Sequence, residues 1–204
     1  MTNQSSGYLV QVFTRPPIPG QVKTRLIPEL GEAGAADLHA ELASLALKAL
    51  GPSDLDYELW CASDIHHPFF DGFDVNRKQQ QGKDLGERME NALKDGFSRA
   101  SKVILIGTDL PTLNIDYLRK AFESLETHQF TLGPADDGGY GLIGSSGILP
   151  EVFSNIPWGG SEVLDITCQR LNAAQISYSL QPLLWDVDTP EDLPRYRAWT
   201  QENN

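Results

Sequence analysis

Cysteine is nearly missing from this chain, and so is any surplus of positive charge. Among 204 residues there are two cysteines, Cys61 and Cys168. They are too few and too distant for a disulfide framework or a cysteine metal site, so both read as buried free thiols. Sixteen basic residues stand against 28 acidic ones, a net charge of −12, which argues against non-specific nucleic-acid binding and against attachment to an anionic membrane. No apolar run approaches the roughly 18 residues of a membrane-spanning helix. The first seven residues are polar and lack the basic and apolar regions of a secretion signal; they are expected to be flexible, and the cytoplasm is the expected location. Histidine is scarce too. The His66-His67 pair has no further histidine nearby and is weak evidence for a metal site, and His39 reads as a surface or packing residue.

What remains is an ordinary globular composition, 40% hydrophobic and 22% charged, at a length that suits one domain spanning residues 1–204. The stretch Val103-Ile104-Leu105-Ile106 reads as a strand buried on both faces and stops at Gly107. Asp109 follows just past its carboxyl end, where ligands bind in open α/β sheets, so its carboxylate is placed to hold a metal against an anionic substrate. Helix capping by Asp109 explains the same residue equally well.

Upstream, Tyr8–Phe13 reads as the first strand. The loop after it carries three prolines, a glycine and the cations Lys23 and Arg25. It has the position of a phosphate-binding turn without the glycine pattern of a Walker loop or a dinucleotide fingerprint. Lys23 would meet phosphate oxygens as a point charge and Arg25 by a two-pronged hydrogen bond, although both could simply be surface residues. Residues 32–50 have helical apolar spacing, 56–62 form a second strand and 75–81 a short polar one. Asp84 and Glu87 resemble a capping box opening a helix to about Arg99. Arg88 lies in its first turn, where the helix dipole disfavours a cation unless an anion is near.

Beyond Asp109, a helix over 114–125 leads to a strand at Phe130–Gly133. Asp136-Asp137-Gly138-Gly139-Tyr140 then places two carboxylates before a glycine pair that admits close approach of a ligand to backbone, and an Asp-Gly hairpin turn accounts for the same letters. A short helix is expected from Leu149 to Asn155, one capped by Ser161 running to Ala174, and a strand at Ile176–Leu180. Asp186 and Asp188 alternate along an extended segment, so both could reach one ion, or could serve helix entry. Thr189-Pro190 is a strong start signal for the last helix.

Strands alternating with helices predict a three-layer α/β/α sandwich with a mostly parallel central sheet. Lys23-Thr24-Arg25-Leu26, Asp84-Leu85-Gly86-Glu87-Arg88-Met89, Gly107-Thr108-Asp109-Leu110-Pro111, Asp137-Gly138-Gly139-Tyr140, Trp158 and Asp186-Val187-Asp188-Thr189-Pro190-Glu191-Asp192-Leu193, taken in order, resemble bacterial glycosyltransferases associated with radical-SAM and arsenosugar gene clusters. The resemblance implies the GT-A, or nucleotide-diphospho-sugar transferase, fold. It implies Mg²⁺ or Mn²⁺ at Asp109, completed by Asp188, Asp186 or Asp137, since the Asp-x-Asp of many GT-A enzymes is replaced here by Thr108-Asp109-Leu110-Pro111. A nucleotide-sugar donor and a small-molecule acceptor are the implied partners. Lys23, Arg25, Arg88 and Gly107 would then serve the nucleotide and its phosphates, Gly138, Gly139 and Tyr140 the sugar or acceptor, and Asp137 the acceptor proton. Guanylyltransferases of the same fold are similar at Lys-Thr-Arg-Leu and at the C-terminal motif, which keeps nucleotidyl transfer with pyrophosphate release as an alternative. A non-catalytic nucleotide-binding protein is a third. Sequence leaves the oligomeric state, the base, the sugar and the acceptor open.

Overall fold

The computed structural model describes residues 7–147 and 150–203. Residues 1–6 of the flexible start anticipated above, and Leu149 of the anticipated short helix, lie outside the described residues. A seven-stranded sheet organises the chain, with strands β1 (Tyr8–Thr14), β2 (Asp56–Cys61), β3 (Asn76–Gln79), β4 (Lys102–Ile106), β5 (Phe130–Pro134), β6 (Tyr140–Ser145) and β7 (Tyr178–Leu180) in the order β3-β2-β1-β4-β6-β5-β7. β6 runs antiparallel to both its neighbours, β4 and β5, while every other pairing is parallel.

Strand alternation sends side chains to two separate cores. Val10, Val12, Ile104, Ile106 and Leu142 face one side, packing on Leu47 and Leu50 of α1 (Ile27–Leu50) and on Leu118 and Phe122 of α3 (Ile115–Ser124). Leu9, Phe13, Val103, Leu105 and Ile143 face the other, against Met89 and Leu93 of α2 (Leu85–Gly96) and Leu171 of α4 (Val163–Ala173). The result is the anticipated α/β/α sandwich. Val103, Ile104 and Ile106 are wholly buried, and each such side chain contributes about 1.5–3 kcal/mol relative to exposure. The last helix, α5 (Leu193–Asn203), sets Leu193 and Tyr196 against Leu38 and Leu42.

Several local expectations are corrected. The Asp84 side chain does accept a hydrogen bond from Glu87 N, but the Glu87 carboxylate reaches back to Lys83 N, one residue before the cap. α2 ends at Gly96, three residues early, because Phe97 already closes its last turn onto Leu93 and Asp95. Ser161 does not cap α4, which begins two residues later with Glu162 at its entry; its second N–H, that of Leu164, is taken by Gly138 O instead. Asn114, not Asp109, caps α3 by accepting from Tyr117 N at 3.0 Å. The short helix anticipated before Asn155 amounts to a single 3₁₀ turn, Pro150–Val152. Among the described residues no helix is long and apolar enough to cross a membrane.

Candidate active site

Topology brings three separated loops to one place. β1 and β4 are parallel neighbours, so the loops after Thr14 and Ile106 emerge side by side. Because β6 runs the opposite way, its first residues rather than its last lie beside the end of β4, and Gly107 N donates to Gly141 O at 3.0 Å. The C-terminal segment is pinned to the same spot by Val187 N donating to Asp109 O at 3.0 Å, which sets Asp186 and Asp188 on either side of that contact.

Asp109 is the junction. Its Oδ1 lies 2.6 Å from Lys23 Nζ, and that ammonium is 4.0 Å from Asp188 Oδ1. The Lys23 side chain is only 2% exposed, and its backbone sits at φ +47°, in the left-handed region that residues with side chains seldom occupy. A buried cation on a strained backbone marks a position held for its charge. Arg25 reaches Asp188 Oδ2 at 2.7 Å and remains mostly open to solvent.

His39, read from sequence as packing, stands behind this pair. Its Nε2 lies 3.0 Å from the carbonyl oxygen of Arg15, which requires the proton on that nitrogen, and its Nδ1 faces Asp109 Oδ1 at 3.8 Å. Burial, opposed by the Asp109 charge, lowers its pKa and keeps it neutral at physiological pH. Thr14 Oγ1, 3.2 Å from Thr108 Oγ1, ties the ends of β1 and β4 together beside it.

Two cavities share Asp109 and differ in character. One, of about 240 Å³, is lined by Arg15, Gln21, Lys23, Thr24, Arg25, His39 and Asp188. The other, of about 300 Å³, has a floor of Phe13, Met89, Leu105 and Ile143, with Tyr140 and Trp158 on its wall. Asp109, Asp137 and Asp186 stand around it, and none of the residues lining it is Lys, Arg or His. Burial, then the charge of Asp137, pushes the Asp186 carboxyl up to about 6. Neither Asp137 nor Asp186 has an ion-pair partner among the described residues. A third cleft, of about 200 Å³, joins Arg15 and Gln21 to Ser63 and Arg88.

Glycines shape the acidic side. Gly138 is at φ +87°, and a Cβ there would meet Ser161 O at 2.1 Å, so the hairpin tip packs directly on the start of α4. Asp137 turns its Oδ1 to Gly139 N at 2.8 Å. At Gly107, in contrast, a Cβ would meet nothing within 4 Å, so its lack of side chain leaves open space in the cavity.

Of the residues singled out in sequence, Gly107, Asp109, Asp137, Gly139, Tyr140 and Asp186 share the acidic cavity, and Lys23, Arg25 and Asp188 share the basic cleft. Asp186 and Asp188 thus open on adjoining spaces, not on one, and Lys23, expected free for phosphate, is engaged with Asp109. Gly138 supports the turn without lining the cavity. Arg88 lies apart in the third cleft with its Nε donating to Gly82 O. Arg15 was given no role, although it sits in the same cation-bearing loop, and His39, read as a surface or packing residue, carried no local signal of the site. No group of three or more His, Cys, Asp or Glu among the described residues is placed to hold a metal ion unaided.

The fold is that of nucleotide-diphospho-sugar transferase structures. A protein from Desulfovibrio desulfuricans G20, assigned as a nucleotide-diphospho-sugar transferase, is 33% identical, with 90% of this chain and 83% of that one covered at a TM-score of 0.84. CMP:2-keto-3-deoxy-manno-octonic acid synthetase complexed with CTP (11% identity, 97% and 99% covered, TM-score 0.62) is similar in fold. So is 4-diphosphocytidyl-2C-methyl-D-erythritol synthase from Anaerococcus prevotii (11%, 98% and 100%, 0.62). No curated protein matches the sequence. Residues 44–160 match the family model DUF2064, described as an uncharacterized protein conserved in bacteria. With more than half its length under that model, this chain belongs to the DUF2064 family.

Proposed function

We propose that the protein is a metal-dependent glycosyltransferase, moving a sugar from a nucleotide-diphosphate donor to the hydroxyl of a small acceptor. The observation that carries this reading is the separation of charge about Asp109, with cations on one side and unpaired carboxylates over an apolar cavity on the other. A donor diphosphate finds Arg15, Lys23 and Arg25 in the basic cleft. An acceptor in the adjoining cavity faces the carboxylates of Asp137 and Asp186, neither of them held in an ion pair among the described residues, and these can accept a hydrogen bond from a hydroxyl.

A divalent cation fits the donor set. Asp186 is a carboxyl whose ionised form is penalised by burial and by Asp137, a penalty that the charge of Lys23 only partly offsets, and Asp109 opens on the same cavity. Both offer oxygen ligands of the kind Mg²⁺ or Mn²⁺ takes, and Mg²⁺ sites commonly use one or two carboxylates together with substrate phosphates. Asp109 and Asp186 would hold the ion, which when bound neutralises charge developing on the departing nucleoside diphosphate. Lys23 and Arg25 add positive charge to the same leaving group, and buried Lys23 orients Asp109. Asp137 is assigned as the base for the acceptor hydroxyl. One of its oxygens is fixed by Gly139 N, leaving the other to take the proton.

Nucleotidyl transfer is the second reading, favoured by the fold likeness to a CTP-binding synthetase. Product analysis separates the two. Incubation with nucleotide sugars and Mn²⁺, with water as a slow acceptor where no alcohol is supplied, is expected to release nucleoside diphosphate and free sugar, and Asp109→Asn to abolish both. Pyrophosphate released from a nucleoside triphosphate in its place would establish the second reading.

A further inference from the structure

Lys23 stands against the carboxylate assigned to the divalent ion, its Nζ 2.6 Å from Asp109 Oδ1. From this contact we infer that Lys23 is a resident counter-cation, which weakens the hold of Asp109 on the ion until a phosphate-class anion in the basic cleft draws the ammonium away. The inference rests on the reading of Asp109 as a ligand of that ion and adds the order of binding. The ion enters with the anion or after it, and not before.

The contact is close but poorly aligned. Lys23 Nζ and Asp109 Oδ1 are both buried atoms, and among the described residues neither has a hydrogen-bond partner of acceptable geometry. An ammonium carries three N–H donors, and leaving them unmatched away from water is costly. The side chain is only 2% exposed and springs from a backbone at φ +47°. Stability alone gives no reason for these features, since a buried ion pair adds little over apolar side chains of the same shape. They suit a cation kept ready for a better set of acceptors, such as phosphate oxygens.

The two cavities supply the two approaches. Lys23 lines the basic cleft together with Arg15, Thr24, Arg25 and Asp188, whose Oδ1 is 4.0 Å from Nζ, so an anion there pulls the ammonium away from Asp109. Asp109 also lines the acidic cavity, where Asp186 stands and Lys23 does not. The charge of Lys23 acts on Asp186 as well, so one ammonium opposes a second cation at both carboxylates assigned to the ion. Among the described residues no group of three or more His, Cys, Asp or Glu gathers to hold an ion. A phosphate-class anion makes up both deficits, taking Lys23 for itself and adding its own oxygens to the ion.

The test titrates the full-length protein with Mn²⁺ alone near neutral pH and follows the free ion by electron paramagnetic resonance. Lys23→Met is expected to bind Mn²⁺ at least about tenfold tighter than wild type. Lys23→Arg, which keeps the charge, should stay with wild type, and the double variant Lys23→Met, Asp109→Asn should lose the gain. Wild type carries the test even if Lys23→Met does not fold. Replacing chloride by sulfate at equal ionic strength places a tetrahedral dianion in the basic cleft and should tighten Mn²⁺ binding severalfold. Unchanged or weaker Mn²⁺ binding in Lys23→Met, a gain that survives Asp109→Asn, or indifference of wild type to sulfate overturns the inference. Its failure is distinct from failure of the glycosyltransferase reading. Absence of nucleoside diphosphate among the products removes that reading and leaves the competition between Lys23 and the ion standing, whereas turnover by a protein whose Lys23→Met variant binds Mn²⁺ no tighter does the reverse.

Discussion

Replacing Asp186 by asparagine should stabilise the protein at neutral pH while removing part of the candidate site. Burial and the neighbouring charge of Asp137 raise this carboxyl from 3.8 to about 6 in the folded state. Above pH 6 the group is ionised in both folded and unfolded chains, so the native state bears the full cost of holding that charge. Between about 6 and 3.8 the native state binds the proton first, and the cost fades as pH falls. Below 3.8 both states are protonated and it is gone. A rise of about two units corresponds to at most about 3 kcal/mol, and solvent screening at a half-buried side chain lowers this to about 1–2 kcal/mol. Urea denaturation of wild type and Asp186→Asn in chelator should therefore show the variant more stable by about 1–2 kcal/mol at pH 7.5, with the gap closing towards pH 4. A variant less stable than wild type at pH 7.5, or a gap that does not change with pH, refutes the reasoning.

Other perturbations separate the roles of the surrounding groups. Asp109→Asn leaves buried Lys23 with Asp188 at 4.0 Å as its remaining charge partner and should cost about 1–3 kcal/mol in denaturant midpoint measurements. Arg25→Ala removes an exposed ion pair, so stability should change by less than about 1 kcal/mol while affinity for a nucleoside diphosphate, read by calorimetry, falls. Gly138→Ala forces a Cβ into the Ser161 carbonyl at a left-handed backbone position and should lose about 2 kcal/mol or more, visible in thermal melts. His39 has the opposite linkage to Asp186: its lowered pKa means that the unfolded chain binds the proton first. It withdraws stability as pH falls below about 6.5, and His39→Gln should flatten that part of the acid limb of the pH–stability profile.

The layering was legible because its signals are local. Val103–Ile106 is apolar at every position, which a strand buried on both faces requires, and 32–50 carries its helical face in its own spacing. Asp109 was legible as the residue after the central strand, but its partners were not. Lys23 and His39 reach it from segments about 86 and 70 positions away, and no periodicity encodes such meetings. The assignment of His39 to packing was half right, since it is buried, yet what it packs against is the candidate site. Ser161 misled for a related reason. It has the chemistry of a cap, but the Gly138 carbonyl reaches across from the hairpin and takes the N–H that would need one.

The measurement that bears most directly on the account is the melting temperature of wild type and Asp109→Asn with a panel of nucleotide sugars and nucleoside triphosphates, each with and without Mn²⁺. A ligand confined to the native state and present at about 100 times its dissociation constant adds about 2.7 kcal/mol. The account predicts a Mn²⁺-dependent rise with at least one nucleotide sugar, absent in Asp109→Asn. A rise with triphosphates alone, or one that Asp109→Asn leaves intact, would contradict it.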